Sequence, residues 1–116
     1  MAKKILIVED EETYRVPLGQ QLSAAGFEVI FADDGQQALE VVEESDLDLI
    51  LLDLVMPRMD GVEFLYNLRH SLEISIPTII LTNLDQDVHQ EGAADYLVKA
   101  NVSVEDVVEK VKQYLG

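Results

Sequence analysis

The sequence predicts an α/β fold, a doubly wound, five-stranded parallel sheet with helices on both faces. Three observations carry this. Strand-like and helix-like patterns alternate five times along the chain, the order that right-handed crossovers wind into a parallel sheet. The strand-like runs are apolar at consecutive positions, as strands covered on both faces are. One of them, Leu49-Ile50-Leu51-Leu52, runs straight into Asp53 and then Leu54-Val55-Met56-Pro57. Pro57 cannot donate to a ladder and biases Met56 away from helix, so the strand should stop near Asp53. An acid at the carboxyl end of a central parallel strand lies where open α/β sheets bind their ligands.

Composition bounds the rest. With 116 residues, 48% of them hydrophobic, the chain can build one domain with a real core and not two. The absence of cysteine excludes disulfides and thiolate metal sites. Met1-Ala2-Lys3-Lys4 leads directly into a short apolar strand, too short for a signal peptide, and no apolar run could span a bilayer. A cytoplasmic protein is expected. Twenty-three acidic residues against eight basic ones give a formal net charge of -15. That balance repels nucleic acid and anionic lipid, so neither is an expected partner.

Taken in order, Lys4 to Val8 reads as a buried strand ending in four acids, Glu9-Asp10-Glu11-Glu12. Acids are favoured before a helix N-terminus, which accounts for Glu11 and Glu12. Glu9 and Asp10 directly follow the strand, where like charges raise each other's pKa and a cation would relieve them. Thr13 to Ala25 reads as a helix with Leu18, Leu22 and Ala25 on one face and Gly26 beyond its end. Pro17 should distort its first turn or delay its start. Glu28 to Ala32 is a strand, Asp34-Gly35 a turn, and Gln36 to Glu44 a helix with Ala38, Leu39 and Val42 inward. After the central strand, Asp60-Gly61 opens a helix to His70 with Val62, Leu65 and Leu68 on its buried side. Pro77 to Thr82 and Asp95 to Lys99 are the last two strands. Ser103 starts the final helix with Asp106 as its capping-box partner, and Val104, Val107, Val108, Val111 and Leu115 form its apolar stripe.

In a parallel sheet all strand ends lie along one edge. That edge would gather Glu9, Asp10, Asp53, Thr82 and Lys99. Carboxylates with open positions suit Mg²⁺, which takes oxygen ligands and keeps some waters. A lysine beside Asp53 would keep that carboxylate ionised and could neutralise a phosphoryl group attached to it. The Thr82 hydroxyl could donate to a phosphoryl oxygen.

These residues carry a resemblance along the whole chain. Leu52-Asp53-Leu54-Val55-Met56-Pro57-Arg58-Met59-Asp60-Gly61 is similar to the phosphoacceptor motif of the response-regulator receiver domains of two-component signalling. Glu9-Asp10 resembles their acidic pair, Thr82 their switch hydroxyl, Tyr96 their switch aromatic and Lys99 their lysine. The resemblance implies a flavodoxin-like strand order, 2-1-3-4-5. A stand-alone, single-domain receiver of the chemotaxis-regulator type over residues 1–116, with no output domain after Gly116, is expected. It implies that Asp53 takes a phosphoryl group from a histidine kinase or phosphotransfer protein, forming an acyl phosphate. Asp10, Asp53 and the Val55 carbonyl would bind Mg²⁺, Glu9 acting through water. Lys99 and Thr82 would hold phosphoryl oxygens, and Tyr96 would turn inward as Thr82 moves. Beyond self-phosphorylation and autodephosphorylation no enzymatic activity is implied, and the downstream partner is an unspecified protein.

Three departures stand out. Ala100 follows Lys99 where the family usually has proline, so a trans bond is expected there. Asn83 replaces a small residue after Thr82. Only the twelve residues Asn83 to Ala94 connect the last two strands, against nineteen in the first crossover. That is near the minimum for a complete crossover, so a shortened or missing fourth helix is expected, and with it a monomer. His70 and His89 are expected to be solvated. The departures favour an alternative, a phosphorylation-independent protein-interaction module on the same fold, which the intact acidic site opposes. An aspartyl phosphatase would want a second acid two residues after the nucleophile, where Val55 stands. A flavin module would find phosphate repelled by Glu9 and Asp10.

Overall fold

The computed structural model describes residues 2–54, 61–72, 75–83 and 93–116. Five strands, β1 (Lys4–Val8), β2 (Glu28–Ala32), β3 (Leu49–Leu52), β4 (Thr78–Thr82) and β5 (Asp95–Val98), form one parallel sheet in the order β2-β1-β3-β4-β5. The described helices are α1 (Glu12–Ala24), α2 (Gly35–Glu44), α3 (Gly61–Tyr66) and α4 (Val104–Leu115). The doubly wound sheet and its 2-1-3-4-5 order are thus as expected. The connection expected to hold a shortened fourth helix lies outside the described residues except for Asn83, Ala93 and Ala94.

Side chains alternate across the strands, and each face carries its own core. On one face Leu6, Val8, Ile50, Leu52 and Ile80 pack with Ala38 and Val42 of α2 and Phe64, Leu65 and Leu68 below. On the other Ile5, Ile7, Leu49, Leu51, Ile79 and Leu81 pack with Leu18 and Leu22 of α1 and Val107, Val108 and Val111 of α4. Because Ile5–Val8 of β1 and all of β3 are buried on both faces, these stretches are apolar at consecutive rather than alternate positions.

Helix ends follow local chemistry. The Asp34 carboxylate accepts from the Gln37 amide at 2.9 Å and caps α2. Ser103 and Asp106 form the expected reciprocal box at the start of α4. Several local expectations are corrected. Pro17 neither delays nor ends α1, which begins at Glu12 and runs through it; the proline removes only the donor that would reach the Thr13 carbonyl, at an exposed turn where water can replace it. Ala25 is exposed and caps α1 instead of packing under it. Val62 is 42% exposed, and its expected place inside is taken by Phe64. At 100° per residue Phe64, Leu65 and Leu68 share one face, and the larger side chain gains more from burial. The helix expected to reach His70 gives way to a π-helical turn over Asn67–Ser71. There Arg69 donates to the Ile76 carbonyl at 2.7 Å and ties the turn to the entry of β4. Among the described residues no helix is long and apolar enough to cross a membrane.

Candidate functional site

Backbone pairing sets the site. The Glu9 amide donates to the Ala32 carbonyl at 3.0 Å, and the Asp53 amide to the Val8 carbonyl at 3.0 Å. These bonds carry the ladder one step past the ends of β1 and β3, so Glu9 and Asp53 stand side by side at the carboxyl edge of the sheet. Gly61 closes the far side of that step, its amide donating to the Leu54 carbonyl at 3.0 Å. A Cβ at this position would lie 2.3 Å from the Asp53 carbonyl oxygen and 2.7 Å from the Leu54 Cα. Only glycine lets α3 begin this close to the end of β3.

One carboxylate oxygen from each of Glu9, Asp10 and Asp53 lies within 4.8 Å of the other two. Asp10 is exposed, whereas Glu9 and Asp53 are only 3% and 8% exposed. This all-oxygen set could hold a hard divalent cation, and its solvent-facing member leaves room for retained water. Lys99 follows directly on β5, buried to 9% exposure. Its ammonium pairs with Oε2 of Glu9 and stands 3.4 Å from Oδ2 of Asp53. The other Glu9 oxygen accepts from the Glu11 amide at 3.0 Å. The Glu9 carbonyl accepts from Arg15 at 3.1 Å, and Arg15 also pairs with Asp33. Both strand-end loops are thereby held by one guanidinium.

Burial is the main force on the buried charges. It raises the Glu9 carboxyl above the ordinary range, helped by the Asp53 charge and opposed by Lys99 and the Glu11 amide. Burial pulls Lys99 down, but its contacts with Glu9 and Asp53 outweigh that and hold it above the usual lysine value. Tyr14, in the first turn of α1, is pushed up to about 12, first by burial and then by the charges of Glu9 and Asp53.

Thr82 ends β4, buried, in register with Val98 just before Lys99. Tyr96 is half-buried, in register with Ile80, and packs onto the α2–α3 side of the sheet. The structure therefore brings Glu9, Asp10, Asp53 and Lys99 into one cluster and sets Thr82 and Tyr96 on the two adjoining strands. Val55 lies outside the described residues, as does His89. His70 is exposed, with its ring 4.6 Å from that of Tyr66. Asn83 is exposed, and the Lys99–Ala100 bond is trans as expected. Sequence reasoning missed two features. It placed Lys99 against Asp53 and not first against Glu9, and it passed over Tyr14, whose ring centroid lies 4.4 Å from the Lys99 ammonium. The only sequence signal for Tyr14 was its place in the first helical turn after the strand-end acids.

Known proteins agree with this architecture. The family model described as the response regulator receiver domain matches residues 5–112. The Bacillus subtilis alkaline phosphatase synthesis transcriptional regulatory protein PhoP is 38% identical over 99% of this chain and 49% of its own length. The Staphylococcus aureus transcriptional regulatory protein SrrA is likewise 38% identical over 99% of the chain and 48% of its own length. The chain thus spans about half the length of these curated relatives. Among solved structures, the Thermotoga maritima response regulator TrrA, in complex with Mg(2+)-BeF, superposes with a TM-score of 0.84 at 31% identity, covering 97% of this chain and 98% of that one. A CheY-like receiver domain protein from Methanospirillum hungatei gives a TM-score of 0.87 at 30% identity, covering 99% and 94%.

Proposed function

The chain belongs to the response regulator receiver family of two-component signalling, and we propose that it accepts a phosphoryl group on Asp53 from the phosphohistidine of a histidine kinase or phosphotransfer protein. The observation that carries this reading is Asp53 itself, a nearly buried strand-end carboxylate beside two further acids, with a lysine ammonium 3.4 Å from Oδ2. An Asp53 oxygen attacks phosphorus in line, the new O–P bond forms as the P–N bond breaks, and the imidazole leaves with the electron pair. Autodephosphorylation is the same displacement with water as nucleophile.

Three oxygen donors of suitable spacing fit a Mg²⁺ site. Asp10 and Asp53 would be direct ligands together with the Val55 carbonyl, and Glu9 a ligand through water. Mg²⁺ when bound supplies positive charge for the oxygens of the transferring group. The protein supplies the rest. Lys99 swings from Glu9 to a phosphoryl oxygen, a short move from its present position between two acids. Thr82 donates a hydrogen bond to another oxygen, and Tyr96 fills the space that Thr82 vacates. The switched surface is read by a downstream protein.

The test is incubation with acetyl phosphate and Mg²⁺, followed by intact mass. Uptake of one phosphoryl group that requires Mg²⁺ is expected. A chain that stays unmodified at saturating donor would instead be the interaction module that binds without switching.

A further inference from the structure

We propose that Tyr14 is a positioning residue for Lys99, its ring holding the ammonium beside the acid cluster; this rests on the phosphoacceptor reading above. The ammonium sits among charged and aromatic groups. It pairs with Glu9, stands 3.4 Å from Oδ2 of Asp53, and lies 4.4 Å from the centroid of the Tyr14 ring. The last distance is well inside the range of a cation–π contact, and such contacts strengthen when the cation is desolvated, as buried Lys99 is.

The hydroxyl does not explain why a tyrosine is here. It is buried and has no hydrogen-bond partner among the described residues, and a buried hydroxyl without a partner costs stability. An aliphatic side chain would pack against the same core, which includes Leu18 and Leu81, without that cost. What an aliphatic side chain cannot supply is the negative face of an aromatic ring.

That face bounds the path of the lysine. For phosphoryl transfer Lys99 must leave Glu9 and meet an oxygen above Asp53. The ring, 4.4 Å from the ammonium at the start of that move, limits the directions in which it can go. Without it the ammonium gains room, and the fraction correctly placed at the moment of transfer falls. The ring touches neither donor nor metal in this scheme, so its loss should slow transfer without weakening the binding of either.

Wild-type chain, Tyr14→Leu and Tyr14→Phe are compared with acetyl phosphate and Mg²⁺, following phosphoryl uptake by intact mass. Tyr14→Leu should lower the saturating rate about tenfold, the scale of a buried cation–π contact. Its half-saturating acetyl phosphate concentration and Mg²⁺ affinity should stay within about twofold. Tyr14→Phe, which keeps the ring, should recover the rate to within about twofold of wild type. In a Lys99→Gln background, where the ring has no cation to hold, Tyr14→Leu should change the residual rate by less than about twofold. Should Tyr14→Leu not fold, Tyr14→Met carries the same comparison. A wild-type rate in the aliphatic variant overturns the proposal. So does a Tyr14→Phe rate as low as that of Tyr14→Leu, or an undiminished Tyr14→Leu effect without Lys99. A wild-type chain that takes up no phosphoryl group overturns the phosphoacceptor reading instead.

Discussion

Lys99 is shared unequally between two acids: its ammonium pairs with Oε2 of Glu9 and stands 3.4 Å from Oδ2 of Asp53. All three residues are nearly buried. The lysine thus does for the cluster part of what a bound cation would do, and Glu9 depends on it. Lys99→Met should therefore destabilise the chain by about 3–5 kcal/mol, the usual result of stranding a buried charge. Urea unfolding measures this. Adding Glu9→Gln to Lys99→Met should return much of the loss. A loss below about 1 kcal/mol for the single variant would mean that Glu9 does not rely on the pair.

The opposite sign is expected at Asp53. Removing one of three clustered carboxylates relieves like-charge repulsion, so Asp53→Asn should raise the melting temperature in metal-free buffer. Mg²⁺ should raise the wild-type melting temperature, because a ligand of the native state stabilises it by RT ln(1 + [L]/Kd). The same titration should move the Asp53→Asn variant much less. A Mg²⁺ response unchanged by Asp10→Asn would speak against the acid cluster as the metal site.

Gly61 is a steric requirement of the site. A methyl group there meets the backbone of Asp53 and Leu54 at 2.3 and 2.7 Å, atoms that cannot rotate away. Gly61→Ala should cost about 1–3 kcal/mol by overpacking. Because the displaced atoms carry Asp53, Mg²⁺ affinity should fall in the same variant. Calorimetric titration with Mg²⁺ alongside urea unfolding checks both.

The capping box of α4 predicts a pH dependence. The Asp106 carboxylate accepts from the Ser103 amide at 2.9 Å, and this bond holds its pKa below the ordinary value of 3.8. A carboxyl depressed on folding contributes stability above its unfolded pKa and loses it as pH falls through the folded one. Asp106→Ala should therefore be less stable than wild type at neutral pH, and the gap should narrow below pH 3.8. Thermal melts at stepped pH read this. A gap that is constant into acid would assign the loss to helix propensity and not to the charged cap.

Legibility in the sequence followed how local the determining interaction is. Leu49 to Leu52 announced a doubly covered strand because every position in it is buried. Ser103 and Asp106 announced a cap because the motif spans only four residues. The edge with Glu9, Asp10, Asp53 and Lys99 followed from parallel topology alone, since all parallel strands end on one side. Val62 against Phe64 was not legible, because both fit a helix and only the packing register beneath chooses between them. Nor was the first choice of Lys99. Its Glu9 partner is 90 residues away, and the pair depends on burial depths that no local pattern encodes. Tyr14 escaped for the same reason, its contact with Lys99 being made across the sheet edge.

Phosphorylation at Asp53 alone can be read at the acyl phosphate bond itself. The chain is treated with acetyl phosphate and Mg²⁺, reduced with borohydride, which converts an aspartyl phosphate to homoserine, and digested for peptide sequencing by mass. The account predicts homoserine at position 53 and nowhere else, in an amount that tracks Mg²⁺, with none in Asp53→Asn. Homoserine at Glu9's neighbour Asp10 or at any other aspartate in the wild-type chain, or phosphoryl uptake undiminished in Asp53→Asn, would contradict it.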